Sequence, residues 1–235
     1  MSNNYFKFKQ FVIFQDKTAM KVGTDGVLLG TWVKADNPKN ILDIGTGTGL
    51  IALISAQRFK NSIITAIDIN KSASEQAQEN VENSKFKNQI TVLNLSLQEF
   101  TKDNNKKFDL IVSNPPFFKE SLKSDDNDKN IARHNIKLSY NDLIKLSSEI
   151  LSEKGKVCLI FPSEQEKNIK EIILQNNLFI NKITYVKTTP TKMHKRVLME
   201  ISHIKTNIIQ DSLVIEKSRH NYSDEFFNLV KDFYL

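Results

Sequence analysis

The sequence predicts an α/β fold built on a mostly parallel sheet with helices on both faces. Short apolar runs alternate regularly with helix-like segments from residue 40 onward, which implies crossover connections between parallel strands. Three alternating glycines, Gly45, Gly47 and Gly49, join the first of those strands to the first of those helices. At 235 residues with 40% hydrophobic side chains, the chain is long enough to bury one large core without staples.

The elements follow in order. From Tyr5 to Phe14, aromatic and apolar residues alternate or cluster (Phe6, Phe8, Phe11, Ile13, Phe14), which reads as a strand or hairpin. Thr24 or Asp25 then caps a short helix through Trp32, and Pro38 closes the segment. Asn40 to Ile44 is the first core strand, Leu50 to Phe59 a helix, and Ser62 to Ile67 a second strand of fully buried pattern, ending at Asp68. A helix from Lys71 to Asn83, a strand from Gln89 to Leu93 and a strand from Phe108 to Val112 continue the alternation. Glu120 to Asn135 is too polar for a core and reads as a loop. Ser139 with Asp142 starts a helix through Leu151, Lys156 to Phe161 is a fifth strand, and Ser163 with Glu166 caps another helix. Leu178 to Lys187 and Val197 to Ile204 pair as a final antiparallel hairpin, followed by an apolar strand around Leu213 to Ile215 and a helix from Ser223 to Phe233. No repeat or low-complexity linker interrupts the chain. We therefore expect a single domain over residues 1–235, with 1–38 as an N-terminal strand or hairpin and helix lid and 39–235 as the binding core.

Composition narrows the class. Cys158 is the only cysteine and lies in an apolar run, so a disulfide framework and a cysteine-based zinc site are excluded, and a buried core thiol is expected. The N-terminus lacks an apolar signal core and no run approaches the ~18 residues of a membrane span, so a cytoplasmic protein without membrane contact is expected. Lys and Arg outnumber Asp and Glu 33 to 27, a net charge of +6, which suits a polyanionic partner. His134 has no companion at ligand spacing, so no metal is expected.

Glycine at 45, 47 and 49 permits positive φ and close approach to a ligand at the start of a helix. Dinucleotide enzymes use G-x-G-x-x-G here. In this chain the third glycine comes one residue early and Leu50 stands where that pattern wants glycine. Asp43, just before the turn, would repel a diphosphate and attract an ammonium group. S-adenosylmethionine carries an ammonium and a sulfonium and no phosphate, so the charge logic favours it. Asp68, at the end of the next strand, is placed to take both ribose hydroxyls; an ordinary strand-end residue is the alternative. Ser96 and Leu97, after the third core strand, stand where the adenine ring would lie, although many loops carry Ser-Leu.

Asn114-Pro115-Pro116-Phe117 ends the fourth core strand. The two prolines hold an extended backbone and remove N–H donors, leaving carbonyls free to accept. An amino group presented there would donate to the Asn114 side-chain oxygen and the Pro115 carbonyl, which frees its lone pair, while Phe117 offers a stacking face for a planar substrate. Such chemistry rests on orientation and charge complementarity, with no general base.

These motifs resemble the class I S-adenosylmethionine-dependent methyltransferases that methylate exocyclic or amide nitrogens. With Lys21 to Trp32, Ala132-Arg133-His134 and the closing Asp232-Phe233-Tyr234-Leu235, nearly the whole chain resembles the bacterial tRNA1(Val) adenine-N6-methyltransferases, which modify the adenine next to the anticodon. That resemblance implies the Rossmann-like seven-stranded methyltransferase sheet with a reversed final hairpin. It implies that Asp43, Gly45 and Gly47, with Thr46 between them, hold the methionine part, and that Asp68 and its neighbour Ile69 hold the nucleoside. Thr24 and Asp25 would line the cofactor's other side. Asn114, Pro115 and Phe117 would act on the target base, with Asn114 also at the cofactor. Ser96 departs from the Asp that many relatives carry beside the adenine. The implied partner is valine tRNA at its anticodon region. Outside the motifs, the basic clusters Lys192, His194, Lys195 and Arg196 and Lys119, Lys123, Lys129 and Arg133 are candidates for phosphate contact; a solvated rim is the alternative for each lysine, and a structural role for Arg133 and His134. Other substrates for the same core are guanine N2 of ribosomal RNA and a release-factor glutamine. An RNA-binding module with a decayed pocket and a nicotinamide oxidoreductase are the remaining readings.

Overall fold

The computed structural model describes residues 3–18, 20–115 and 138–235. Its centre is an eight-stranded sheet. The N-terminal hairpin pairs β1 (Tyr5–Lys7) with β2 (Val12–Phe14) and leads to α1 (Thr24–Trp32). Then come β3 (Asn40–Ile44), α2 (Leu50–Arg58), β4 (Ile63–Ile67), α3 (Lys71–Glu82), β5 (Ile90–Leu93), α4 (Leu97–Asp103) and β6 (Phe108–Ser113). After residue 138 follow α5 (Tyr140–Ile150), β7 (Leu151–Pro162), a short 3-10 turn (Ser163–Gln165), α6 (Glu166–Gln175), β8 (Phe179–Lys187), β9 (Arg196–Ser202), β10 (Ile209–Val214), the small hairpin β11 (Glu216–Ser218) with β12 (Asn221–Tyr222), and α7 (Asp224–Val230).

The strand order is β10-β8-β9-β7-β6-β3-β4-β5. Strands β3 to β7 run parallel, β9 runs against both β7 and β8, and β10 lies parallel to β8. The seven strands expected from the family resemblance are therefore joined by an eighth, β10, which the apolar residues around Leu213 foreshadow. Strand alternation explains the two-sided burial. Ile41, Leu110, Val112, Cys158 and Ile160 point to one hydrophobic cluster with α1, α2 and α7, whereas Leu42, Ile111, Val157, Leu159 and Phe161 point to another with α5 and α6.

Caps correct the sequence reading in two places. Gly23, not Thr24 or Asp25, is the N-cap of α1, and its helix begins without a side-chain cap. Ser163 opens a 3-10 turn, so α6 starts one turn later with Gln165 as an uncapped N-cap. Ser139 caps α5 as expected, accepting from the Asp142 N–H, and Ser223 caps α7 in the same way. Arg58 of α2 donates to the carbonyls of Gly30 and Val33 at 2.6 Å each, placing a cation on the carbonyl end of α1.

The chain runs from β3 to β4 on one side and returns to β6 on the other. The crevice beyond the carboxyl ends of β3 and β6 is thus a topological switch point, where open α/β sheets bind ligands.

Candidate active site

A cavity of about 810 Å³ opens at that switch point. The glycine turn after β3 forms its floor. Gly45, Gly47 and Gly49 adopt φ of +70°, +58° and +80°, and a Cβ on Gly45 or Gly47 would meet nothing within 4 Å, so the backbone itself faces open space. The turn's N–H groups are already bonded within the protein. Those of Gly45 and Thr46 go to the Ile67 carbonyl at 2.9 and 3.0 Å, that of Gly47 to Asp68 Oδ2 at 2.9 Å, and that of Gly49 to the Thr46 carbonyl at 2.9 Å. A diphosphate seeks a nest of open N–H groups, and this turn uses these donors internally. That agrees with the choice against dinucleotides.

Asp43 differs from its expected place. Its carboxylate is fully buried and does not line the cavity; it lies beneath the turn, accepting from Thr46 Oγ1 at 2.6 Å and from the Ala52 N–H in the first turn of α2 at 3.1 Å. The second oxygen, Oδ1, has no hydrogen-bond partner among the described residues. Burial pushes the carboxyl up to about 7, with the Asp68 charge adding to the rise and both hydrogen bonds opposing it. Its role is therefore structural, joining the turn at Thr46 to the first turn of α2 at Ala52.

Asp68 is on the wall. Its Oδ2 holds Gly47 and its Oδ1 accepts from the Asn70 N–H at 2.8 Å, so the carboxylate is oriented with lone pairs to spare. Ile69, half exposed, and Ser96 with Leu97 complete that end. Ser96 caps α4 in a capping box with Glu99, so its hydroxyl is engaged in shaping the loop. Thr24, Asp25 and Thr46 also line the cavity. Asn114 lines the opposite wall after β6, and its side-chain oxygen is buried with no hydrogen-bond partner among the described residues. Pro115 is buried next to it. Phe117, Lys119, Lys123, Lys129, Arg133 and His134 lie outside the described residues.

The basic residues on the 188–195 connection sit at the same carboxyl end of the sheet, since β8 runs parallel to β3 and β6. Lys192 and Lys195 are exposed. Arg196 is engaged: its Nε donates to Asp25 Oδ2 at 2.8 Å, tying the first turn of α1 to β9 across 171 positions of sequence. Two polar residues of α3 were not singled out from the sequence. Asn80, fully buried, accepts from the Phe14 N–H and donates to the carbonyls of Phe14 and Thr48, and Gln76 accepts from the Lys17 N–H. Together they pin the 12–17 segment over the glycine turn. Uncharged amides four residues apart on a helix, sharing a face with Ala73 and Ala77, are the signal that would have found them.

The methyltransferase small domain family matches residues 17–188. A tRNA1(Val) (adenine(37)-N6)-methyltransferase of Parabacteroides distasonis is 47% identical over 236 residues, covering 100% of this chain and 99% of its relative. The enzyme of that name from Trichodesmium erythraeum is 45% identical, again over 100% and 99%. The chain belongs to this family. Among solved structures, a predicted O-methyltransferase of Agrobacterium tumefaciens superposes with a TM-score of 0.70 at 20% identity, covering 89% of this chain and 96% of that one. A ribosomal protein L11 methylase of Lactobacillus delbrueckii gives 0.57 at 22%, covering 80% and 82%. The family is thus built on the class I methyltransferase sheet, and S-adenosylmethionine is its cofactor. No helix among the described residues is long and apolar enough to cross a membrane, and no group of His, Cys, Asp and Glu among them could hold a metal. Burial raises the Cys158 thiol far above its usual value, which leaves it an inert core group.

Proposed function

We propose that this protein transfers a methyl group from S-adenosylmethionine to N6 of an adenine in tRNA, the adenine at position 37 of valine tRNA named for its relatives. Bound S-adenosylmethionine supplies an electrophilic methyl on a sulfonium. Gly45, Thr46 and Gly47 would hold its amino acid end, Asp68 and Ile69 its ribose and Ser96 and Leu97 its adenine, with Thr24 and Asp25 lining its other side. The observation that carries the reading is the Asn114 side-chain oxygen. It is a buried acceptor without a partner among the described residues, on the wall of the cofactor cavity, and such a group costs on the order of 1–3 kcal/mol unless a ligand satisfies it. An exocyclic amine does so. Its two N–H groups would donate to Asn114 and to the Pro115 carbonyl, which turns the lone pair toward the cofactor side of the cavity, and the aromatic residue type at 117 suits stacking on the base. No side-chain base is needed, because the alkylated nitrogen is cationic and releases its proton to water.

Lys119, Arg133, Lys192 and Lys195 supply phosphate contacts, with Arg196 contributing through the α1 turn that it holds. We place the whole of residues 1–235 in one domain, acting in the cytoplasm where tRNA is found.

The test is incorporation of labelled methyl groups into valine tRNA lacking the modification, with ribosomal RNA and a release factor offered in parallel. Transfer is expected to the tRNA adenine alone. Asn114→Ala should lower turnover on the order of 10²–10³-fold while cofactor binding is retained. A variant that kept its turnover would remove Asn114 from the mechanism, and labelled guanine or glutamine would reassign the substrate.

A further inference from the structure

A second concavity of about 560 Å³ lies beside the first, lined by Phe6, Lys7, Gly23, Thr24, Tyr222 and Tyr234 among others. Gly23 and Thr24 also line the cofactor cavity, so the start of α1 is a wall common to both. The aromatic rings are only partly used by the core. Phe8 and Phe226 are buried beneath them, whereas Phe6 remains 37% and Tyr222 44% exposed. The Tyr222 and Tyr234 ring centres are 6.4 Å apart at 34°, and those of Phe6 and Tyr234 are 5.9 Å apart at 50°. The three rings thus line an open notch, each within reach of its neighbour.

The surroundings carry charges of both signs, with Glu216, Asp224 and Glu225 on the hairpin and helix beside Tyr222. Lys7 lines the notch itself. The β11–β12 hairpin that presents Tyr222 is joined to the basic connection after β8, because the Ile215 N–H donates to the Lys187 carbonyl and the Glu216 N–H to the Thr188 carbonyl, at 2.9 Å each. That pairing sets the exposed Arg219 of the hairpin at the same end of the sheet as Lys192 and Lys195. Lys217 is occupied by Asp224 at 2.7 Å. Lys7 in the aromatic notch, with Lys192, Lys195 and Arg219 at the same end of the sheet, supplies the two ingredients of single-stranded nucleic-acid binding: charge that follows the backbone and rings on which bases stack.

We propose that the Phe6–Tyr222–Tyr234 notch holds an unpaired nucleobase of the same RNA, close in sequence to the adenine that enters the cofactor cavity. This rests on the RNA substrate assigned above and extends it with a second base site. Aromatic rather than charged walls suit the face of a base over a phosphate, and stacking makes the site tolerant of which base it is. The notch would hold the loop in register while the target adenine is turned out, so its contribution should fall on RNA affinity and not on the cofactor.

The test uses the full-length protein and an anticodon stem-loop RNA carrying 5-iodouridine at loop positions on either side of the target adenine. Irradiation should crosslink a flanking position to Phe6, Tyr222 or Tyr234, read by mass spectrometry of the peptides. In parallel, Tyr222→Ala should raise KM for the RNA about tenfold with cofactor affinity unchanged, and Tyr222→Phe, which keeps the ring, should restore it. Crosslinks confined to other surfaces overturn the notch, as does a folded Tyr222→Ala with wild-type KM; if that variant does not fold, the crosslink decides. Wild-type protein that methylates no adenine in this RNA defeats instead the substrate assignment on which the notch rests.

Discussion

The two sides of the active-site crevice are made in opposite ways. On the cofactor side, the glycine turn is held by buried, short-range hydrogen bonds to Ile67, Asp68, Asp43 and Asn80, with side chains largely removed from water. On the side we propose for RNA, the side chains of Lys192, Lys195, Arg219 and Tyr222 are exposed to solvent. The difference suits the ligands proposed for the two sides. A small nucleoside with fixed charges rewards a preorganised pocket, whereas a flexible polyanion is bound through charges that salt can screen and that need no rigid frame.

That contrast can be broken from either side, most strongly at the turn. Gly45→Val should reduce cofactor affinity at least about tenfold in a calorimetric titration, since the added side chain enters the cavity. Holding a β-branched residue at φ +70° should also cost on the order of 1–3 kcal/mol of stability. Wild-type affinity would show that the turn does not face the cofactor. Asn80→Ala removes the partners of the buried Thr48 carbonyl and of the half-buried Phe14 N–H and carbonyl, and a loss of roughly 1–3 kcal/mol in urea unfolding is expected, together with weaker cofactor binding and little change for RNA. An equal loss for both ligands would erase the distinction drawn here.

Asp43→Asn sharpens it through pH. The folded carboxyl titrates at about 7 against an ordinary value of 3.8, so between those values the folded protein keeps a proton that the unfolded chain releases. Asp43 thus makes the free protein less stable as pH rises from about 4 to about 7, with no further change from this group above that. The wild type minus Asp43→Asn difference, followed by chemical unfolding across that range, should show this decline, and a rise would refute it. The smallest effect is expected on the RNA side. Lys192→Ala with Lys195→Ala should weaken RNA binding several-fold at low salt and reduce the slope of log affinity against log salt by roughly 0.7–0.9 for each phosphate no longer neutralised, with cofactor affinity unchanged. A cofactor effect would mean that the connection reaches into the pocket.

The local features of the site were legible because their physics is local. A strand ending in Asp43, glycines two residues apart, Asp68 at the next strand end and Asn114 before a proline are each recognisable from a few neighbours, and the parallel sheet follows from alternating apolar segments. The helix cap at Ser139 belongs to the same class. Where two local signals competed, sequence reasoning misjudged them: Thr24 and Asp25 look like caps, yet Asp25 is drawn to Arg196, 171 residues away, and Gly23 takes the capping position.

What the chain could not declare by itself depends on partners distant in sequence. Asp43 reads as a charge facing its ligand; only the stacking of α2 on the turn decides that it is buried, unpaired at one oxygen among the described residues and raised in pKa. The amides of α3 read as helix surface until β2, 66 residues earlier, is laid across them. The place of β10 beside β8 at the sheet edge, and the meeting of the N-terminal hairpin with Tyr222 and Tyr234, are likewise products of tertiary packing. Sequence alone determined the strand–turn–helix that selects the cofactor, because backbone conformation and hydrophobic period are properties of neighbouring residues. The burial of charge and the joining of distant surfaces were decided only by the folded structure, because solvation and contact depend on what the rest of the chain brings into place.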